Sequence, residues 1–164
     1  MDLRRLLADE FAHEAGVTRR LLERLPEARF AWRPHPKSFT AGDLAAHMVE
    51  CLRWATPILT ADHVDVDPAT FRPFTATSRA DLLDGCDAAA AAGDAAFAAA
   101  TAATLDGSWR LLIRGRQKWE RPRVVVLRDF TFSHLAHHRG QFSVYLRLLD
   151  VPVPGAYGPS ADDR

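Results

Sequence analysis

The stretch HLAHHRGQ at residues 134–141 sets three histidines in five positions among Phe, Leu, Val and Tyr. On a helix, Leu127, Phe130, Thr131, His134, His138, Gln141, Tyr145 and Leu148 fall at steps of three or four and share one face, so His134 and His138 sit in the middle of an apolar stripe. A second stripe, Leu44, Met48, Cys51, Leu52, Ala55 and Ile58, carries His47 on its inward side, three residues after Leu44 and four before Cys51. A buried imidazole without a partner loses hydration at a cost of about 1–3 kcal/mol, and three of them need a reason. A divalent transition metal is one. Imidazole nitrogen ligates such ions well, two rings four apart on a helix reach a single ion, and a third ring from another helix completes a facial set. His137 also lies one turn from His134 and is the alternative to His138. His138 is preferred because it stands four residues before Phe142 and seven before Tyr145. His13, His35 and His63 read as surface or loop residues, and Cys51 and Cys86 as buried thiols that act as small apolar side chains.

Helices must position these rings. Leu3, Leu6, Leu7, Phe11, Ala15, Thr18, Leu21, Leu22 and Leu25 give an amphipathic first helix that Pro26 ends. Pro34 and Pro36 then force extended chain. Thr40 with Asp43 reads as a cap that starts a second helix running to about residue 60. Residues 61–77 read as a long loop, and Ser78 with Asp81 caps a third helix over about 79–103, rich in alanine. Residues 108–122 hold β-formers on both sides of Gly115, which predicts a short hairpin or irregular segment. Pro122 suits the first turn of a fourth helix about 28 residues long, reaching Leu149 without a breaker other than Gly140. Together these elements predict an all-α protein, an antiparallel four-helix bundle forming one domain over residues 1–164.

Composition narrows the function. The chain has 164 residues, 48% hydrophobic and 26% charged, with 21 basic residues against 21 acidic ones. That balance suits a globular chain with no overall field for nucleic acid or an anionic membrane. A chain this long buries a core without disulfides or a structural metal, so a metal site would be functional. No apolar run is long enough to span a bilayer, the N-terminus carries no signal-peptide pattern, and a cytoplasmic location is expected. The segment RGRQKWERPR at 114–123 clusters five basic residues around Trp119 and is the one stretch that could contact phosphate and stack a base, a role secondary to that of a solvated connection.

The segments WRPHPKSFTAGDLAAHMVE and HLAHHRGQFSVYLRLLDVPVPGAYGPSADD closely resemble the DinB family, a branch of the DinB/YfiT-like metalloenzymes, and the likeness extends over most of the chain. The resemblance implies an up-down-down-up bundle with one long crossover, a homodimer, and a divalent metal held by His47, His134 and His138. Zinc or nickel are the first expectations for that metal, with iron or manganese also open. Characterised relatives of the wider superfamily use low-molecular-weight thiols, which implies a thiol-dependent transferase acting on a small-molecule substrate. A metal-dependent hydrolase, or a non-catalytic metal or small-molecule binding protein of a stress response, are the alternatives. Around the site, Glu50 is a candidate to orient His47, and Gln141 to hydrogen-bond a ligand. Arg139 is expected to form a salt bridge, and Gly140 to admit another helix closely.

Overall fold

The structure, a computed structural model, describes residues 2–163. Helix α1 (Leu3–Leu22) begins where the Asp2 carboxylate accepts the Arg5 N–H, and it buries the expected Leu7, Phe11, Ala15, Thr18, Leu21 and Leu22. Helix α2 (Ala41–Arg53) is capped by the Thr40 hydroxyl, which accepts the Asp43 N–H at 3.1 Å. It does not run unbroken to residue 60. Pro57 has no N–H to offer the Arg53 carbonyl and its ring crowds that turn, so the chain breaks at Trp54 and resumes as α3 (Ala55–Thr60). Helix α4 (Arg79–Ala99) starts in a full capping box of Ser78 and Asp81, and α5 (Ala102–Asp106) comes next. Helix α1 packs on α4, and α2 packs on both α4 and the last helix.

The expectation of an all-α four-helix bundle is corrected by a three-stranded mixed sheet. Strands β1 (His63–Val66), β2 (Ser108–Ile113) and β3 (Arg116–Pro122) lie in the order β1-β2-β3. The hairpin of β2 and β3 stands where the sequence placed one, turning through Arg114 and Gly115 at φ 51° and 73°. Positive φ at both residues matches the twist of the strands. Strand β1 is the surprise, because it comes from the expected loop and pairs in parallel with β2, His63 opposite Arg110 and Val66 opposite Ile113. Asp65 on β1 accepts the Gly115 N–H at 2.8 Å and Asp67 pairs with Arg114 at 3.1 Å, so the strand also fixes the turn.

Aromatic rings join the sheet to the helices. Trp109 on β2 is fully buried, donates its indole N–H to the Pro57 carbonyl at 3.2 Å, and meets Trp54 and Trp119 at 6.2 and 5.7 Å between ring centroids. Trp119 in turn meets Phe130 at 5.6 Å. The aromatic of the basic ribbon therefore faces the protein. Among the ribbon's cations, Arg114 and Arg121 pair with Asp67 and Asp129, and Arg123 is buried against the Ala61 carbonyl and Asp62.

The fourth helix is not uniform. It comprises α6 (Arg123–Val126), a π-helical stretch over Leu127–Ser133, and α7 (His134–Leu148). On α7 the Arg139 side chain, 3% exposed, pairs with Glu14 of α1, and the Tyr157 hydroxyl of the C-terminal segment bonds to both. Arg147 holds that segment at a second point through Asp162, 2.7 Å away. A Cβ at Gly140 would meet nothing within 4 Å, so the close approach expected there is not made within the chain.

A close approach does occur at Gly93 of α4, where a Cβ would lie 2.3 Å from two atoms of the fully buried Phe11 ring. Gly93→Ala gains about 0.5–1 kcal/mol of helix propensity but overpacks the core by about 1–3 kcal/mol. The expected net result is a lower urea midpoint with unchanged slope, read in an equilibrium unfolding curve.

Candidate metal centre

Helix α2 carries His47 and, one turn on, Cys51; helix α7 opens with His134 and carries His138 one turn on. The packing of α2 against α7 brings the four side chains near one another, with the donor atoms of His138 outside the mutually close group. His47 Nε2 lies 3.3 Å from His134 Nε2, and the His138 ring centroid lies 4.5 Å from that of His47 and 4.6 Å from that of His134. The donor atoms of His47, Cys51 and His134 all fall within 4.8 Å of one another, a His/Cys/His group that could hold a metal ion. Two nitrogens about 2.0–2.1 Å from one tetrahedral ion stand about 3.3 Å apart, which is the spacing of the His47 and His134 nitrogens. The donor chemistry and this separation both fit a transition metal.

Burial keeps the rings neutral. It lowers the His47 pKa from 6.5 to about 4, helped by repulsion from the His138 and His134 rings. It also lowers those of His134 and His138, helped by repulsion from the His137 ring, against hydrogen bonds of the His134 ring to the Phe130 main chain and of the His138 ring to Gln141. Neutral imidazole is the form that ligates metals. Burial likewise pushes the Cys51 thiol up to about 12, with the Glu50 charge as the second cause.

Neighbours orient the rings. His138 Nδ1 lies 2.8 Å from Gln141 Oε1, and a donor at Nδ1 leaves the Nε2 lone pair free. The Gln141 amide nitrogen reaches His137 Nε2 at 3.1 Å. His137 is thus exposed and linked to the cluster through Gln141, while His138 is buried beside the other two rings. Glu50 does not reach His47: its carboxylate accepts the Phe74 N–H at 3.0 Å and pairs with Arg53, tying down the chain before α4. Phe39, 49% exposed, stacks on His47 at 5.6 Å and stands edge-on to His138 at 6.4 Å. The Tyr145 hydroxyl donates to the Phe39 carbonyl at 3.3 Å and so fixes the wall that this ring makes.

Neither Cys51 nor Phe39 was singled out as part of the site from the sequence. For Cys51 the signal was available, since it lies four residues after His47, the spacing that marked His134 and His138. The segment 61–77 and α4 do wall a cavity of about 580 Å³, among whose lining residues are Trp54, Phe71, Phe74 and Ala89, but none of the histidines is among them.

A family model described as the DinB family matches residues 2–164. The chain belongs to the DinB family. Two solved DinB-like proteins share the fold. One, from Bacillus cereus, is 22% identical with a TM-score of 0.70, over 92% of this chain and 95% of its own. The other, from Bacillus subtilis, is 17% identical with a TM-score of 0.68, over 90% and 95%. No curated protein matches. Among the described residues no helix of this DinB chain is long and apolar enough to cross a membrane.

The histidine cluster has a pH signature. The pKa of His47 is 6.5 in the unfolded chain and about 4 when folded, so the unfolded state binds more protons between these values. Stability is then full above about pH 6.5 and declines as the pH falls towards 4. The melting midpoint of the metal-free protein is expected to drop over that window, and His47→Gln to drop less steeply.

Proposed function

We propose that His47, His134 and His138 hold a divalent transition metal, and that the protein is a metal-dependent enzyme of thiol-dependent group transfer. The observation that carries this reading is the 3.3 Å separation of the His47 and His134 nitrogens, with the His138 ring beside both. Such an ion, when bound, supplies the Lewis acidity that makes a low-molecular-weight thiol a thiolate at neutral pH, or water a hydroxide in the alternative hydrolase.

The residues of this chain supply position and environment. The three histidines offer neutral lone pairs at neutral pH, and Gln141 holds His138 with its Nε2 turned free. Phe39 presents an apolar ring beside His47, against which the carbon skeleton of a small substrate packs while bulk water is displaced. A homodimer belongs to the same reading, supported by the exposed Val144 and Leu148 on one side of α7. A second reading, small-molecule binding without turnover, is favoured by the apolar cavity beside Trp54, which holds no histidine.

Elemental analysis of untagged protein is expected to find about one divalent ion per chain, the stoichiometry of one set of three imidazole donors with a position left open. His47→Ala and His134→Ala are expected to lose that metal together with any metal-dependent conversion of a thiol and an electrophile. Full metal in both variants overturns the reading. Loss of metal without loss of ligand binding in the cavity favours the second one. Gln141→Ala is expected to weaken metal affinity by about 10–100-fold, as removal of an outer-shell partner does, in a competition titration with a chromophoric chelator.

A further inference from the structure

We propose that Cys51 is a ligand of the same ion, bound as the thiolate, so that the centre is a mixed nitrogen–sulfur site selective for a thiophilic metal such as zinc over manganese. The inference deepens the proposed function and rests on it. Its first support is position. Cys51 shares a helix face with His47, and its sulfur lies within 4.8 Å of the donor atoms of both His47 and His134. Its second is burial. At 1% exposure the side chain meets the cluster from the protein interior, whereas His47 and His134 are only half buried.

Charge supplies the third support. Three neutral imidazoles leave a divalent ion with its whole charge in a partly buried site, and a buried charge is tolerated when an opposite charge accompanies it. Glu50 is the acid next along α2, and its carboxylate is committed to the Phe74 N–H and Arg53. Cys51 is the group of the cluster that can become anionic. On binding, the S–H bond breaks, the proton leaves to solvent, and the sulfur electron pair forms the bond to the metal with no change of oxidation state. Thiolate is a soft ligand that favours zinc, cobalt or copper(I), whereas manganese prefers oxygen donors. His138, whose ring is the donor outside the mutually close group, would be the residue that makes room for a substrate at such an ion.

Cobalt(II) is the probe. The metal-free 164-residue chain, its Cys51→Ser and Cys86→Ala variants and the His134→Ala variant are titrated with cobalt(II) and monitored by absorption, with zinc and manganese affinities measured by competition. The expected result is a near-ultraviolet sulfur-to-cobalt charge-transfer band in the parent and in Cys86→Ala. In Cys51→Ser that band is expected to be absent while the visible ligand-field bands persist. Zinc affinity of Cys51→Ser should fall by more than the ~10–100-fold typical of losing an outer-shell partner. Cys51 and Cys86 are the only cysteines, so the Cys86→Ala spectrum decides the matter even if Cys51→Ser does not fold. Ligand-field bands without a sulfur band in the parent and in Cys86→Ala overturn the role of Cys51 and leave the histidine site standing. Failure of the parent to take up cobalt overturns both.

Discussion

Two imidazole nitrogens 87 residues apart in the chain stand 3.3 Å from each other, and most of the architecture serves that contact. Uncharged rings in a half-buried setting neither attract one another strongly nor recover the hydration they lose. The cluster therefore persists because the surrounding packing holds it, with α2 packed on both α4 and α7 and the large side chains Leu44, Met48 and Leu52 of α2 and Phe142 of α7 fully buried. The Arg139–Glu14 pair fixes α7 against α1 on the opposite side, with Tyr157 closing it off. Breaking such a buried pair from one side costs about 3–5 kcal/mol, because the remaining charge is left without a partner. Arg139 is thus a structural neighbour of the histidines, held in the salt bridge that the sequence suggested.

What the sequence revealed was local. The caps at Thr40 and Ser78 and the histidine spacing on two helices depend on residues within a turn or two of each other, and the structure carries each of them, whereas α1 ends at Leu22, ahead of the stop expected at Pro26. Strand β1 was hidden for the opposite reason. Four residues of modest β-propensity became a strand only through parallel pairing with a partner 47 positions away, and nothing in His63–Val66 announces that partner. The break at Trp54 was legible in Pro57 but was outweighed by a continuous apolar stripe. Helix spacing leaves Glu50 only a candidate to orient His47, because it shows which residues are neighbours on one face, and the Phe74 N–H that claims its carboxylate comes from another segment.

The two DinB-like structures share this fold at 17–22% identity, so the helical frame with its small sheet tolerates wide replacement of side chains. A shared frame does not by itself convey chemistry, which resides in the groups converging on one point. Here those groups are three rings, one thiol, an amide that orients a ring and an aromatic wall, drawn from α2, α7 and the chain just before α2. The sheet reaches them indirectly: Trp109 and Trp119 on β2 and β3 pack toward Trp54 and Phe130, which precede α3 and α7.

The π-helical stretch over Leu127–Ser133 ends at the residue before His134. A π turn takes up one more residue than an α turn, and each residue of an α-helix turns the chain by about 100° around the axis. Wound as regular α-helix, the same residues would turn α7 by about 100° around its axis and carry its histidines off the α2 face, whereas the wide turn takes up the extra residue and keeps that facing. The aim of the site is therefore set by the winding upstream of it as much as by the histidines.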